Sequence, residues 1–125
     1  MFGANTAVSD LLRFHWIGAL TNNQRIAAVR ASLAAATVPS IGALDRQVMI
    51  PTDFTNSPSE VEASLLGAAT DLHVRVVVGV EDDLRTALIL AGDADLLVNS
   101  YYSLKPLVDA GAIVPLLRFG TRGYP

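Results

Sequence analysis

Short continuous apolar runs alternate with segments whose apolar residues fall at helical spacing, and Gly, Pro and small polar residues mark the changes between them. The aromatic and β-branched run Phe14–Ile17, closed by Gly18, predicts a strand, and Ile26–Val29 predicts another after the polar turn Thr21–Gln24. Ser40 offers an N-cap to Ile41–Arg46, a segment that carries Gly42 and has room for one or two helical turns. Val48–Ile50 is a short apolar run stopped by Pro51, and the polar loop Thr52–Asn56 leads from it into Ser57–Glu60. That tetrad is a capping box with proline at the first helical position. It predicts a helix that places Val61, Leu65 and Ala68 on one face and ends near Gly67 or Thr70.

His73–Val78 is the strongest strand signal, and its unbroken apolar end predicts burial on both faces, as in parallel sheets. Gly79 ends it. Glu81, Asp82 and Asp83 then open a helix over Leu84–Ala91, with acids at the positive end of its dipole and Gly92 suited to the left-handed residue after its last turn. Asp95–Val98 predicts a strand, Ser103 a cap for a helix over Leu104–Asp109 ended by Gly111, and Ile113–Leu117 a last strand. Pro115 puts that strand at an edge or a bulge. Residues 1–11 read as a lead-in and Arg118–Pro125 as a departing tail. Strands alternating with helices of about 8–12 residues imply an α/β fold with a mostly parallel sheet flanked by helices.

Composition narrows the function. At 125 residues the chain has room for one domain, and 51% hydrophobic against 17% charged residues argues against disorder. The formal charge of −3, with the 9 basic side chains scattered, leaves no electrostatic footprint for nucleic acid. The absence of cysteine removes disulfides, thiolate nucleophiles and cysteine zinc sites together. No apolar run approaches the roughly 20 residues needed to span a bilayer, so membrane insertion is not expected. The start Met1–Ala7 lacks the cationic and apolar regions of a secretory signal, so the expected location is cytoplasmic.

Chemical motifs are sparse. His15 and His73 lie on separate predicted strands without a partner at metal-ligand spacing, so no metal site is expected. Neither a Gly-x-Ser-x-Gly elbow nor a glycine-rich phosphate loop is present; no enzyme activity and no cofactor is expected. Asn99, Ser100, Tyr101 and Tyr102 follow the C-terminal end of a predicted parallel strand, the edge at which open α/β sheets bind ligands. Arg75, Arg85 and Arg118 have the chemistry to pair with a carboxylate, although an arginine is by default a surface residue.

From about Leu12 onward the order of motifs resembles the substrate-binding proteins of tripartite tricarboxylate transporters, which have the two-lobed type II periplasmic binding protein fold. Phe14–Gly18 is similar to that family's Phe-x-Trp-Ile-Gly stretch, and Val48–Ser57 to its strand and Gly/Ser/Thr loop. Val76–Gly79 resembles the strand before its ligand loop, Leu84–Leu88 with Gly92–Asp95 its helix and Gly-x-Val-Asp turn, and Ser103–Lys105 with Asp109–Ile113 its next helix and strand. The likeness corresponds to the second lobe alone, so the chain would hold half of a ligand cleft. It implies a small organic carboxylate as ligand, held by backbone N–H groups and hydroxyls at Thr52, Thr55, Asn56, Ser57 and Ser59, with Asp95 on the family's Gly-x-x-Asp turn; Asn99 and Tyr101, from the strand-end reading above, complete the candidate set. It also implies a periplasmic location for family members.

Where the family has a tyrosine and glycines, this chain has Val80–Asp83. Each acid there favours the helix dipole by roughly 0.3–1 kcal/mol and repels an incoming carboxylate in the same field. Two functions follow: a lobe that weakly binds small organic acids, or a free-standing interaction protein that dimerises and no longer recognises solute. A homodimer is expected in either case, with Phe14–Ile17 and Ile26–Val29 as contributing strands.

Overall fold

The computed structural model describes residues 15, 17, 23–33, 41–43 and 45–120. Its elements in chain order are β1 (Arg25–Arg30), β2 (Val48–Pro51), α1 (Pro58–Ala69), β3 (Val74–Val77), α2 (Asp82–Ala91), β4 (Leu96–Ser100), α3 (Tyr101–Asp109) and β5 (Ile113–Phe119). Among the described residues, β1 lies between β4 and β5 and is antiparallel to both, whereas β2 and β3 form a parallel pair. The two pieces meet where Asp95 N–H donates to the Met49 carbonyl at 3.0 Å, so β2 runs beside the entrance to β4.

The sheet is therefore mixed, with more antiparallel than parallel pairing, and the expectation of a mostly parallel sheet is corrected. β4 and β5 are joined through α3, as two parallel neighbours would be. The earlier strand β1 occupies the gap between them and runs the other way. Buried apolar residues report that a strand is covered on both faces and carry no information on its direction.

Helices do flank the sheet. Ala27 and Val29 of β1, with Leu96 and Val98 of β4, face a core completed by Ala63 and Leu66 of α1 and by Val48 and Ile50 of β2. Ile26 and Ala28, with Leu97, face a second core completed by Ile89 of α2, Leu104 of α3 and Ile113 of β5. The period-2 alternation of β1 thus feeds two cores, one on each face.

α1 begins as its sequence predicts, capped by the Ser57 hydroxyl with Pro58 in the first turn, and ends against Thr70. Its rotation differs from expectation. Ser59, Ala63 and Leu66 face inward, and Val61, Leu65 and Ala68 face solvent. The two sets share one helical spacing, so periodicity cannot choose between them; close approach does. A Cβ on Gly67 would collide with the Val74 Cγ2 of β3, so the helix must turn this glycine, and with it the Ser59, Ala63 and Leu66 face, toward the sheet. Glu62 turns inward to Arg25 Nε of β1, at 2.9 and 2.6 Å from its two carboxylate oxygens.

Other expectations are adjusted by pairing. β3 has a partner on one side only among the described strands, so Val74, Val76 and Val77 are half-buried and Arg75 is exposed. α3 is capped by Ser100 rather than Ser103, whose N–H donates to the Ser100 hydroxyl at 3.2 Å. The Pro115 reading holds: among the described strands β5 is at the edge, and its register against β1 shifts between Ala27 and Ala28. Arg118 and Phe119 belong to β5 and not to a tail. The predicted strand Phe14–Ile17 lies outside the described residues except for His15 and Ile17, which are irregular and exposed. Both edges of β1 are taken by β4 and β5, so Ile26–Val29 has no free edge to offer a dimer.

Candidate functional site

The loop from β2 into α1 is built by its own hydroxyls. Thr52 N–H donates to the Val77 carbonyl at 2.8 Å, and the Thr52 carbonyl accepts from Val80 N–H at 3.0 Å. Thr52 Oγ1 donates to the Val77 carbonyl at 3.4 Å. Ser59 Oγ accepts from Asp53 N–H at 3.4 Å, donates to Asp53 Oδ2 at 3.1 Å and shares a hydrogen with Ser57 Oγ at 3.1 Å. Ser57 Oγ also accepts from Glu60 N–H at 3.3 Å. Glu60 reaches back one residue beyond the usual capping-box partner, to Asn56 N–H. Asn56 adopts φ 61°, the left-handed region that asparagine tolerates better than most residues. Thr52, Ser57 and Ser59 are buried, the serine hydroxyls committed inside the loop and the Thr52 hydroxyl to β3, whereas Thr55 and Asn56 are exposed on its surface.

The loop between β3 and α2 lies against this one, with Gly79 N–H donating to the Asp53 carbonyl. Gly79 has φ 89° and leads to Glu81, the N-cap of α2, whose side chain makes no capping bond. Asp82 and Asp83 occupy the first turn. One turn on, Arg85 is only 3% exposed. Its guanidinium meets Asp53 Oδ1 at 2.5 Å and also Asp82 Oδ1. Asn99, near the end of β4, donates from Nδ2 to the same Asp82 Oδ1 at 3.2 Å. Its own Oδ1 accepts from Ser100 N–H at 2.8 Å. Asp53, Asp82, Arg85 and Asn99 thus tie the ends of β2, β3 and β4 together at one edge of the sheet.

Two hollows open there. One of about 200 Å³ has Arg85, Asn99, Ser103 and Leu104 in its wall, and one of about 480 Å³ is lined by Asp53, Phe54, Gly79 and Val80; Asp82 borders both. Tyr101 is half-buried at the start of α3, its N–H donating to the Gln24 carbonyl at 2.7 Å, and it packs on the second core.

Asp95 stands apart from this edge. It precedes β4, about 13 Å of extended chain from Asn99, and is 2% exposed. Its carboxylate takes a two-pronged contact from Arg46, Nη1 and Nη2 each at 2.7 Å, a bond from Met49 N–H at 3.0 Å, and Arg30 Nη2 at 3.4 Å. Burial alone would raise its pKa. The Arg46 and Met49 hydrogen bonds and the charges of Arg46 and Arg30 outweigh burial and hold the carboxyl below its ordinary value. Arg46 is correspondingly raised, chiefly by its hydrogen bond to Asp95.

The structure thus brings Thr52, Thr55, Asn56, Ser57, Ser59 and Asn99 to one edge, places Tyr101 just beyond it and sends Asp95 to the opposite end of β4. Arg85, expected on the surface, is the buried charge at this edge. The signal available in the sequence was the i,i+3 spacing of Asp82 and Arg85, which places the pair on one helical face. The partner Asp53 is contributed by a loop distant in sequence. Among the described residues no group of His, Asp or Glu converges to hold a metal ion, and no helix is long and apolar enough to cross a membrane.

No protein-family model matches the chain and no curated protein matches it. Among solved structures, R. palustris Rpa4515 with adipate is similar over 77% of this chain and 33% of its own, with a TM-score of 0.68 and 19% identity. The VFT2 domain of Bordetella pertussis BvgS, solved as a double mutant, is similar over 81% of this chain and 41% of its own, with a TM-score of 0.48 and 15% identity. The chain spans about a third of the length of Rpa4515. At this identity the likeness to Rpa4515 shows the fold alone, a mixed α/β unit that matches part of that protein. The tripartite tricarboxylate family is not confirmed by it.

Proposed function

We propose that the chain is one lobe of a solute-binding unit and takes a small organic carboxylate at the edge where β2, β3 and β4 end. The observation that carries this is the buried Arg85 guanidinium at that edge, beside an amide donor and an open hollow. An arginine in that setting holds a carboxylate with charge and geometry together. The fold likeness to a protein solved with adipate supports a dicarboxylate as the first ligand to test.

The test is thermal unfolding with and without adipate, succinate, citrate and nicotinate at millimolar concentration and matched ionic strength. Ligand at about 100 times Kd adds roughly 2.7 kcal/mol, enough to raise the midpoint by several degrees. A selective rise for one acid supports the reading; a flat panel over a cooperative transition refutes it.

A second reading, a dimerising module without solute recognition, is favoured by the outer face of α1. Val61 is 47% and Leu65 57% exposed there, Ala68 follows one turn on, and Phe54 is 68% exposed in the adjoining loop. The helix's two acids turn to Asn56 N–H and Arg25, so this face has no charge to oppose a second copy of itself. Sedimentation at tens of micromolar decides it: a dimer that Leu65→Glu dissolves supports this reading, and a monomer refutes it.

A further inference from the structure

We propose that Asp82 is a built-in occupant of the carboxylate position on Arg85 and Asn99, and that a ligand carboxylate binds by displacing it; this rests on the solute-binding reading above. Arg85 is buried, so its guanidinium requires an anion at all times. Two carboxylates serve it, in unequal settings. The Asp53 side chain is 33% exposed and is locked into the α1 loop: its carboxylate accepts from Ser59, its N–H donates to Ser59, and its carbonyl accepts from Gly79. The Asp82 side chain is 73% exposed, and its hydrogen-bond partners among the described residues are Arg85 and Asn99 Nδ2.

A guanidinium and an amide converging on one water-accessible carboxylate are the donor set that a carboxylate ligand needs. Exchanging Asp82 for a ligand carboxylate conserves the charge beside Arg85. The released side chain still lies in the first turn of α2, where a negative charge is favourable. The hollow beside Arg85, Asn99, Ser103 and Leu104 gives room for the body of the ligand. Because Asp82 is tethered, it competes at an effective concentration of about millimolar or above. The affinity of the intact chain for a free carboxylate is lowered accordingly, and removing Asp82 unmasks the site.

The experiment is calorimetric titration of adipate into the wild-type chain, Asp82→Ala, Asp82→Asn and Asp83→Asn at constant ionic strength, with cooperative unfolding checked for each. Asp83 is the control: it borders the same hollow and its loss changes net charge equally one residue away, but among the described residues it forms no ion pair with Arg85, so it reports the field without the occupied position. The expected result is adipate binding at least tenfold tighter in both Asp82 variants and changed less than threefold in Asp83→Asn. Equal tightening in the Asp82 and Asp83 variants overturns the proposal, because it reports only the general field. Wild-type binding that the Asp82 variants leave unchanged also overturns it, while the solute-binding reading stands. No adipate binding by the wild-type chain or any variant overturns the proposal, and a flat thermal panel beside it overturns the solute-binding reading as well.

Discussion

Asp95 offers the sharpest test of how the two strand groups are held together. The perturbation is Asp95→Asn, which keeps size and an oxygen for Met49 N–H but removes the charge that Arg46 and Arg30 meet. Charge-assisted hydrogen bonds contribute about 1.5–3 kcal/mol each, and stranding a buried ion costs about 3–5 kcal/mol. The Arg46 side chain is 47% exposed and regains water when released, so the cost falls below that second range. We expect a loss of about 2 kcal/mol, or roughly 8 °C in Tm for a domain of this size. Asp95→Ala also orphans Met49 N–H and loses about 1–2 kcal/mol more.

Urea unfolding at neutral pH measures both variants. An asparagine variant within about 0.5 kcal/mol of wild type, or equal to the alanine variant, refutes the reasoning. A pH series checks the sign. The folded carboxyl is held below its ordinary value, so its stabilisation is complete above the unfolded pKa of about 3.9 and is lost as pH falls through the lower folded value. The gap between wild type and Asp95→Asn therefore closes on acidification below about pH 4.

Three further substitutions probe α1. Gly67→Ala, which in an open helix gains about 1 kcal/mol, is expected to lose about 1–2 kcal/mol here because the new methyl meets the stiff Val74 side chain; pairing it with Val74→Ala recovers part of the loss in a double-mutant cycle by urea unfolding. Ser57→Ala removes a buried cap that serves Glu60 N–H and Ser59 Oγ, at a cost of about 1–2 kcal/mol in the same assay. Leu65→Ser, on the outer face, is expected to change monomer stability by less than about 0.5 kcal/mol, and a larger loss would mean that Leu65 packs inward.

Local order was legible because it rests on near neighbours. The capping serine of α1, the glycine end of α2, the Pro115 irregularity and most strand positions follow from turn chemistry and short apolar runs, which act within a few residues. The loop hydroxyls at residues 52–59 were also found from the sequence, although three of them prove to be buried, Ser57 and Ser59 bonded to each other and Thr52 to the Val77 carbonyl. Tertiary structure decided the rest. It set β1 antiparallel between β4 and β5, turned Val61, Leu65 and Ala68 outward, sent Asp95 away from the site edge and buried Arg85 against Asp53. Each of these depends on which distant segment becomes a neighbour. Hydrophobic burial drives a residue inward without naming the face or the direction, and a charge becomes buried only when a partner far along the chain arrives to meet it.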